Sequence, residues 1–181
     1  MHFDRYLKYA WFVISMKITW FFPDWRFVMW FRGFLTKPCF KFCGSNLQLA
    51  SDVTINCTNQ VTIGNNVYIA KGSWLNAYGD ITLDDDVMLG PYTIISTGNH
   101  KILNGSYRYG SQSKAPVCIK YGSWIGAGTI ILSGVTIGKS ACCAAGSIIN
   151  TDIPDHSIVG GNPAKILRLN SKQNFHINQI Y

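Results

Sequence analysis

The 181-residue chain has no C-x-x-C pair among its six cysteines, only four histidines, and nine acidic residues against sixteen Lys and Arg. The cysteines (Cys39, Cys43, Cys57, Cys118, Cys142 and Cys143) do not have the spacing of a zinc knuckle. His2, His100, His156 and His176 do not provide the three-histidine set that a zinc hydrating enzyme needs. The one acidic run, Asp84-Asp85-Asp86, reads as a solvated corner rather than a metal site. No stretch offers the ~20 apolar residues of a comfortable transmembrane helix. The nearest candidate, Tyr9 to Phe22, is shorter and carries Lys17. The start also lacks the layout of a secretory signal, in which a short charged stretch leads to a clean apolar run and a small-residue cleavage site. Adjacent Cys142 and Cys143 would point to opposite faces of a strand, which argues against a redox pair. Free thiols in a core fit a reducing cytoplasm, and nothing in the motifs points to nucleic acid.

What the chain does have is a period. A hydrophobic residue returns every six positions: Ile119, Ile125, Ile131, Ile137, Cys143, Ile149. Upstream, Leu49, Ile55, Ile63, Ile69, Leu75, Leu83, Leu89 and Ile95 keep the same step, except for two eight-residue steps at Ile55–Ile63 and Leu75–Leu83. Those two lie twenty residues apart, so they stack on one corner. A helix, with its 3.6-residue period, cannot give this pattern, nor can a hairpin meander. A hexapeptide repeat can: six residues make one strand and one corner, and three strands close a triangular coil. Gly or Ala often follows the inward residue (Gly64, Ala70, Gly90, Gly126, Gly138, Ala144), as expected if a tight corner needs a small, conformationally free residue there. A second small or branched residue recurs two places before it, as at Val61, Val67, Ser73, Val87, Val117, Ser123, Thr129, Val135 and Ala141. The fold class is an all-β solenoid, a parallel β-helix of about five triangular coils and roughly 24 Å in length.

Residues 1–43 are a different material. They hold four of the six tryptophans and seven Lys or Arg against Asp4 and Asp24, which is +5 of the formal +7. Phe3 to Phe22 reads as one helix and Trp25 to Leu35 as a second, with a break at Pro23-Asp24 and a stop before Pro38. Three roles fit this segment: a cap on the open end of the solenoid, a contact with a sister subunit, or a contact with an anionic membrane surface. Residues 44–181 form the second unit, the β-helix with its tail.

The solenoid is interrupted once, between Ile95 and Val117. Loops extruded from rigid scaffolds commonly carry function, and loop 96–116 holds His100. A neutral imidazole with a pKa near ~6.5 can accept a hydroxyl proton at cellular pH.

At this point the chain resembles the hexapeptide-repeat acyltransferases, and within them the maltose/galactoside O-acetyltransferase-like, polysaccharide-modifying branch. The resemblance runs over about residues 45–169. It rests on Thr97-Gly98-Asn99-His100, Tyr121 to Gly128, Ile130 to Gly138, Ala145-Gly146-Ser147 and the Gly161-Asn162-Pro163-Ala164-Lys165 tail. It implies a left-handed β-helix, an exception to the usual right-handed crossover, ending in a short C-terminal helix or tail. It also implies a homotrimer with acetyl-coenzyme A (acetyl-CoA) in the clefts between prisms, and no metal. His100 matches the family's general base. Asn76 matches a residue that contacts the acceptor sugar, with Asn99 beside the base. Trp124 matches an aromatic residue along the pantetheine arm, and Ala127 a corner whose backbone N–H serves the oxyanion. Ala145 sits where coil backbone meets the arm's amides, and Lys165 and Arg168 fit the nucleotide phosphates. Asn150-Thr151 stands where relatives often carry Thr-Lys, so the phosphate contact expected at Asn150 departs from the pattern.

The implied activity is transfer of acetyl from acetyl-CoA to a sugar hydroxyl, in a cell-surface glycan or its precursor, in the cytoplasm or at the inner face of the membrane. An amino-sugar N-acetyltransferase uses the same scaffold and remains the alternative. The long helical domain of serine acetyltransferases is absent. An ice-binding or other purely binding solenoid would show flat outward arrays of Thr and no extruded loop.

Overall fold

A six-residue step with one inward side chain closes a triangle. The computed structural model, which describes residues 2–169, is a left-handed parallel β-helix of five complete coils and the start of a sixth. Each coil gives one short strand to each of three faces. Face 1 stacks Phe42–Cys43, Val61–Ile63, Ile81–Leu83, Val117–Ile119 and Thr136–Ile137. Face 2 stacks Gln48–Leu49, Tyr68–Ile69, Met88–Leu89, Trp124–Ile125, Cys142–Cys143 and Ser157–Gly161. Face 3 stacks Thr54–Asn56, Trp74–Asn76, Ile94–Ser96, Ile130–Ile131 and Ile148–Ile149. The bridge from Ile137 to Ile153 opens the sixth coil.

All fourteen residues of the hexad, from Leu49 to Ile149, are fully buried. Register stacks them in columns, one of them running Ile55, Leu75, Ile95, Ile131, Ile149. The residues two places earlier are buried as well. Cys143 takes its inward place as a small hydrophobe, with its thiol pushed up to about 12 by burial, while half-buried Cys142 faces outward.

The small residue after the inward position has a different reason from the expected one. None of Gly64, Gly90, Gly126 and Gly138 has a positive φ. A Cβ added at these glycines would lie 2.4–2.7 Å from the next coil, against Asp85, Ala127 N, Ala145 N and Asp155 N. Close stacking excludes the side chain. The left-handed backbone falls two residues later, at Asn66, Gly72, Asp86, Tyr92, Gly122, Gly128, Gly134, Ser140 and Gly146.

The C-terminal segment corrects the sequence reading. Ala164–Leu169 is not a helix but a strand, antiparallel to Ser157–Gly161. The turn through Asn162-Pro163 folds the chain back onto the last open edge of face 2, whose backbone groups it pairs. Residues 170–181 lie outside the description, and His176 with them.

Two helices open the chain, α1 (His2–Thr19) and α2 (Arg26–Thr36), followed by a 3-10 turn at Lys37–Cys39. They cover the open edge of the first coil. Phe12, Ser15, Met16 and Thr19 of α1 and Met29, Arg32, Gly33 and Thr36 of α2 face inward and are buried. At Gly33 an added Cβ would sit 1.9 Å from Leu47 O, so only glycine lets α2 lie this close. Arg32 is fully buried. It donates to Thr19 O (3.0 Å), Phe22 O (2.8 Å) and Leu49 O (3.4 Å), and pairs with Asp24. Asp24 in turn accepts from the Ser51 N–H (2.8 Å) and hydroxyl (2.9 Å). One guanidinium thus ties both helices and the first coil together.

Partial burial pushes the Asp24 carboxyl up. The Ser51 donors and Arg32 outweigh that and hold it below the ordinary carboxylate value. A depressed folded pKa gives stability that is present above the unfolded value, ~3.9, and is lost as pH falls through the folded value. Asp24→Asn should therefore melt at a lower temperature than wild type at neutral pH and show a shallower loss on acidification below about pH 4. Melting curves across that range test this. Equal acid slopes would place the acid sensitivity elsewhere.

Candidate functional site

The connections from face 3 to face 1 share one edge of the prism. They are residues 57–60, 77–80, the excursion 97–116, and 132–135. The two eight-residue steps and the extruded loop therefore lie on a single edge, where the corners already carry extra chain. The excursion leaves and returns as an antiparallel hairpin. Gly98–His100 pairs with Gln112–Lys114, placing His100 opposite Gln112 and Asn99 opposite Ser113. Past it the Lys101 N–H bonds Ser111 O at 2.9 Å. A Cβ on Gly110 would fall 1.6 Å from Lys101 O, so this neck closes only with glycine.

A buried threonine seats the hairpin. The Thr97 hydroxyl donates to Asn76 O (2.9 Å) and accepts from the Gly79 N–H (2.6 Å). Ser133 Oγ donates to Thr97 O at 3.0 Å from the next coil. Tyr78 lies beneath the first hairpin strand: a Cβ on Gly98 would be 3.4 Å from the Tyr78 Cβ. The Lys114 ammonium stands 5.9 Å from the Tyr78 ring centroid. The hexad pattern gave no sign of Thr97 or Ser133. A signal existed for Tyr78, which belongs to the extra chain of the second eight-residue step.

The residues singled out by sequence fall on two edges. His100 and Asn99 are exposed on the hairpin. Asn76, half-buried, lies beside its base, in register with Asn56 and Ser96. Asn150 is exposed farther along the same edge. Trp124 projects from face 2 between Met88 and Cys142 and is half-exposed. Ala127 and Ala145 are exposed on the edge between faces 2 and 3. Among the described residues, neither of their amide groups donates a hydrogen bond. Lys165 and Arg168 are exposed on the terminal hairpin, opposite Gly160 and Ile158 at the end of face 2. Face 3, roughly 20 Å of strand and corner, separates the first group from the second. One chain therefore does not bring His100 to the Ala127 amide.

The other candidates stay apart. His156 sits on the third edge, between faces 1 and 2, with its N–H on Lys139 O at 2.7 Å. The Asp84–Asp86 corner is part of a polar ladder there. Asn46 donates to Asn66, Asn66 to Asp86, and Asn65 to Asp85, each across one coil. The Asn65 backbone and side-chain donors hold the Asp85 carboxyl below its ordinary value. No group of three or more metal-ligating side chains occurs among the described residues.

Stacked six-residue coils with one extruded hairpin put the chain in the class of hexapeptide-repeat β-helices. A galactoside O-acetyltransferase of Lactococcus lactis subsp. lactis (strain IL1403) is 34% identical over 134 residues, 67% of this chain and 64% of that protein. The chain thus spans just under two thirds of that relative's length. A Staphylococcus aureus (strain COL) protein assigned to the acetyltransferases is 35% identical over 137 residues, 76% of this chain and 69% of its own. A hexapeptide-repeat acetyltransferase of Vibrio cholerae O1 biovar eltor, solved with acetyl-CoA, matches with a TM-score of 0.80 and 25% identity over 92% of this chain and 88% of that one. No family model matches the chain. The chain belongs to the hexapeptide-repeat acetyltransferase family.

The loop anchor is testable without knowing the substrate. Thr97→Val keeps the shape but strips the partner from the Gly79 N–H. An unsatisfied buried donor costs about 1–3 kcal/mol, so the unfolding free energy should fall by about that much and the urea midpoint with it. An unchanged midpoint would mean that the Thr97 hydroxyl does not hold the hairpin base.

Proposed function

We propose that this chain is an acetyl-CoA-dependent acetyltransferase acting on a sugar hydroxyl, within a cell-surface glycan or its precursor. The observation that carries the reading is the split site. The family's base position, His100, and its oxyanion position, Ala127, occupy different edges of one prism. They can meet only when the His100 edge of one copy lies in the cleft beside the Ala127 edge of another. A closed ring of such contacts is a homotrimer with three equal clefts.

In that cleft the His100 imidazole takes the proton of the acceptor hydroxyl as its oxygen attacks the thioester carbonyl. The carbonyl oxygen gains charge and receives the Ala127 N–H from the neighbouring chain. The tetrahedral intermediate collapses with loss of the C–S bond. The sulfur leaves as coenzyme A and takes the proton back from His100, and the acetyl ester remains on the sugar. Asn76 and Asn99, on the His100 edge, orient the acceptor. Trp124 lies along the pantetheine arm, whose amides meet the coil backbone at Ala145. Lys165 and Arg168 supply fixed charge to the nucleotide phosphates. Asn150, neutral and on the opposite edge of face 3 from Ala145, adds at most a weak contact. Transfer to an amino sugar would use the same parts with an amine in place of the hydroxyl. A panel of sugars and amino sugars, assayed with acetyl-CoA, separates the two.

His100→Ala should lower turnover by about 10²–10⁴-fold while leaving the oligomer and coenzyme A binding intact. A drop of less than about threefold, far below that range, would assign the proton transfer to another group. The split site adds a sharper test. Ala145→Trp fills the cofactor edge from an exposed position, so it too should be inactive. Mixed oligomers of His100→Ala and Ala145→Trp chains should regain activity, because some clefts then pair two intact edges. No recovery on mixing would place the whole site within one chain. Lys165→Ala with Arg168→Ala should weaken acetyl-CoA far more than an acetyl-pantetheine donor that lacks the nucleotide.

A further inference from the structure

The helical cap has two apolar sides. Its inner side is buried against the first coil. Its outer side is a second, unpartnered surface. On α1 it runs Leu7, Trp11, Ile14, Ile18, at steps of four and three, with exposures from 47% to 68%, and it continues to Phe21 in the turn that follows. On α2 it runs Phe27, Trp30, Phe31, Phe34, opposite the buried Met29, Arg32, Gly33 and Thr36. Phe27 stacks on Phe31 (centroids 6.5 Å apart) and Trp30 on Phe34 (5.8 Å). The Trp11 indole donates to Leu35 O at 2.9 Å, which binds the two stripes side by side. At the turn between the helices, Phe22 and Trp25 are 56% and 70% exposed. Single exposed hydrophobics need no explanation, but outward apolar stripes on both helices mark a contact surface.

We propose that this face docks on an anionic phospholipid surface, holding the enzyme on the membrane rather than in it. Charge chooses the occupant. Residues 1–43 carry +5 of the chain's +7, of which Lys41 is paired with Asp80. Asp24 is spent on Arg32 and Ser51, and Asp4 on Lys8. Exposed Lys17 and Arg26 flank the two stripes. Aromatic residues with adjoining cations suit headgroup depth, where Trp and Phe meet the acyl boundary and Lys/Arg meet phosphate. No helix among the described residues is long and apolar enough to cross a membrane, so the hairpin lies flat. Direction agrees as well. The cap covers the end of the prism, so its outer face points along the prism axis, away from the edges where neighbouring copies would meet. In the trimer proposed above, three such caps would face the same way on one plane. Their weak individual contacts then act together. The docking deepens the proposed function, since it would hold the clefts near membrane-linked glycans.

The test uses the full chain and sedimentation with vesicles of phosphatidylcholine alone or mixed with phosphatidylglycerol. The protein should pellet with the mixed vesicles and not with the neutral ones, and binding should fall as salt rises past physiological strength, where screening reaches ~8 Å. Phe27→Gln with Phe31→Gln alters only outward side chains. It should weaken vesicle binding at least about tenfold while leaving acetyl transfer to a soluble sugar and the molecular mass by light scattering unchanged. No pelleting with anionic vesicles at low salt would overturn the proposal. So would a double variant that dissociates the oligomer, which would make this face a contact between copies. The soluble-sugar assay reads the enzymatic proposal separately, so either can fail without the other.

Discussion

The constraint on which the rest depends is the close stacking of successive coils at the corners. Strands in register sit ~4.8 Å apart, and at Gly64, Gly90, Gly126 and Gly138 the next coil leaves no room for a Cβ. Such contact is possible only if every coil turns at the same place, which fixes the length of each side. Beside the buried residue two places earlier, a side of fixed length repeats one hexad position. The fully buried Ile, Leu and Cys of the hexad fill it, each contributing on the order of 1.5–3 kcal/mol of transfer free energy. Period, core and corner are one condition seen three ways.

That condition also decides where chemistry can be placed. A coil pinned at two corners cannot take an insertion there without breaking stacking on both sides. The edge between faces 3 and 1 is different, because Cys57–Gln60 and Ala77–Asp80 already depart from the six-residue step. The excursion that carries His100 leaves from this relaxed edge and is reseated at once by Thr97, Ser133 and Tyr78. The free amides of Ala127 and Ala145 belong to a tight edge, where the turn repeats without slack. A relaxed edge carrying the His100 hairpin and a strict edge presenting amides are thus kept apart within one chain by the geometry of the triangle. Assembly is the direct way to join them.

The β-helix was legible because its signal is repetitive: each error in register would have been exposed by the next coil. The eight-residue steps marked the loop's edge in the sequence, although only the stacked coils show that the loop shares it. The reason for the small residues was not legible. A glycine kept for its φ and a glycine kept for lack of space look alike in sequence, and here the left-handed positions fall two residues later, where Asn66, Tyr92 and Ser140 accept the strain. The terminal segment was expected to be a short helix or tail and not a strand, because Ala164–Leu169 has no repeat to test it against. The open edge of face 2, which decides the matter, is not a local property. The candidate site residues were singled out through family resemblance, whereas their division between two edges is a fact of topology.

The N-terminal cap shows how a solenoid solves the one problem its repeats create. The first coil has no predecessor, so the backbone of Gln48–Leu49 would present a bare strand edge. Two helices cover it, and a covering helix needs only one apolar side. The buried side is held by Arg32, whose charge is matched by Asp24 and three backbone carbonyls. An uncompensated buried cation would cost several kcal/mol, so this network also fixes the angle of the hairpin on the coil. The inner requirement is thereby met without Phe27, Trp30, Phe31 or Phe34, which reach no part of the core. Capping explains half of the hairpin's hydrophobicity. The other half lies outside the core, and it is this half that the proposed docking would cover.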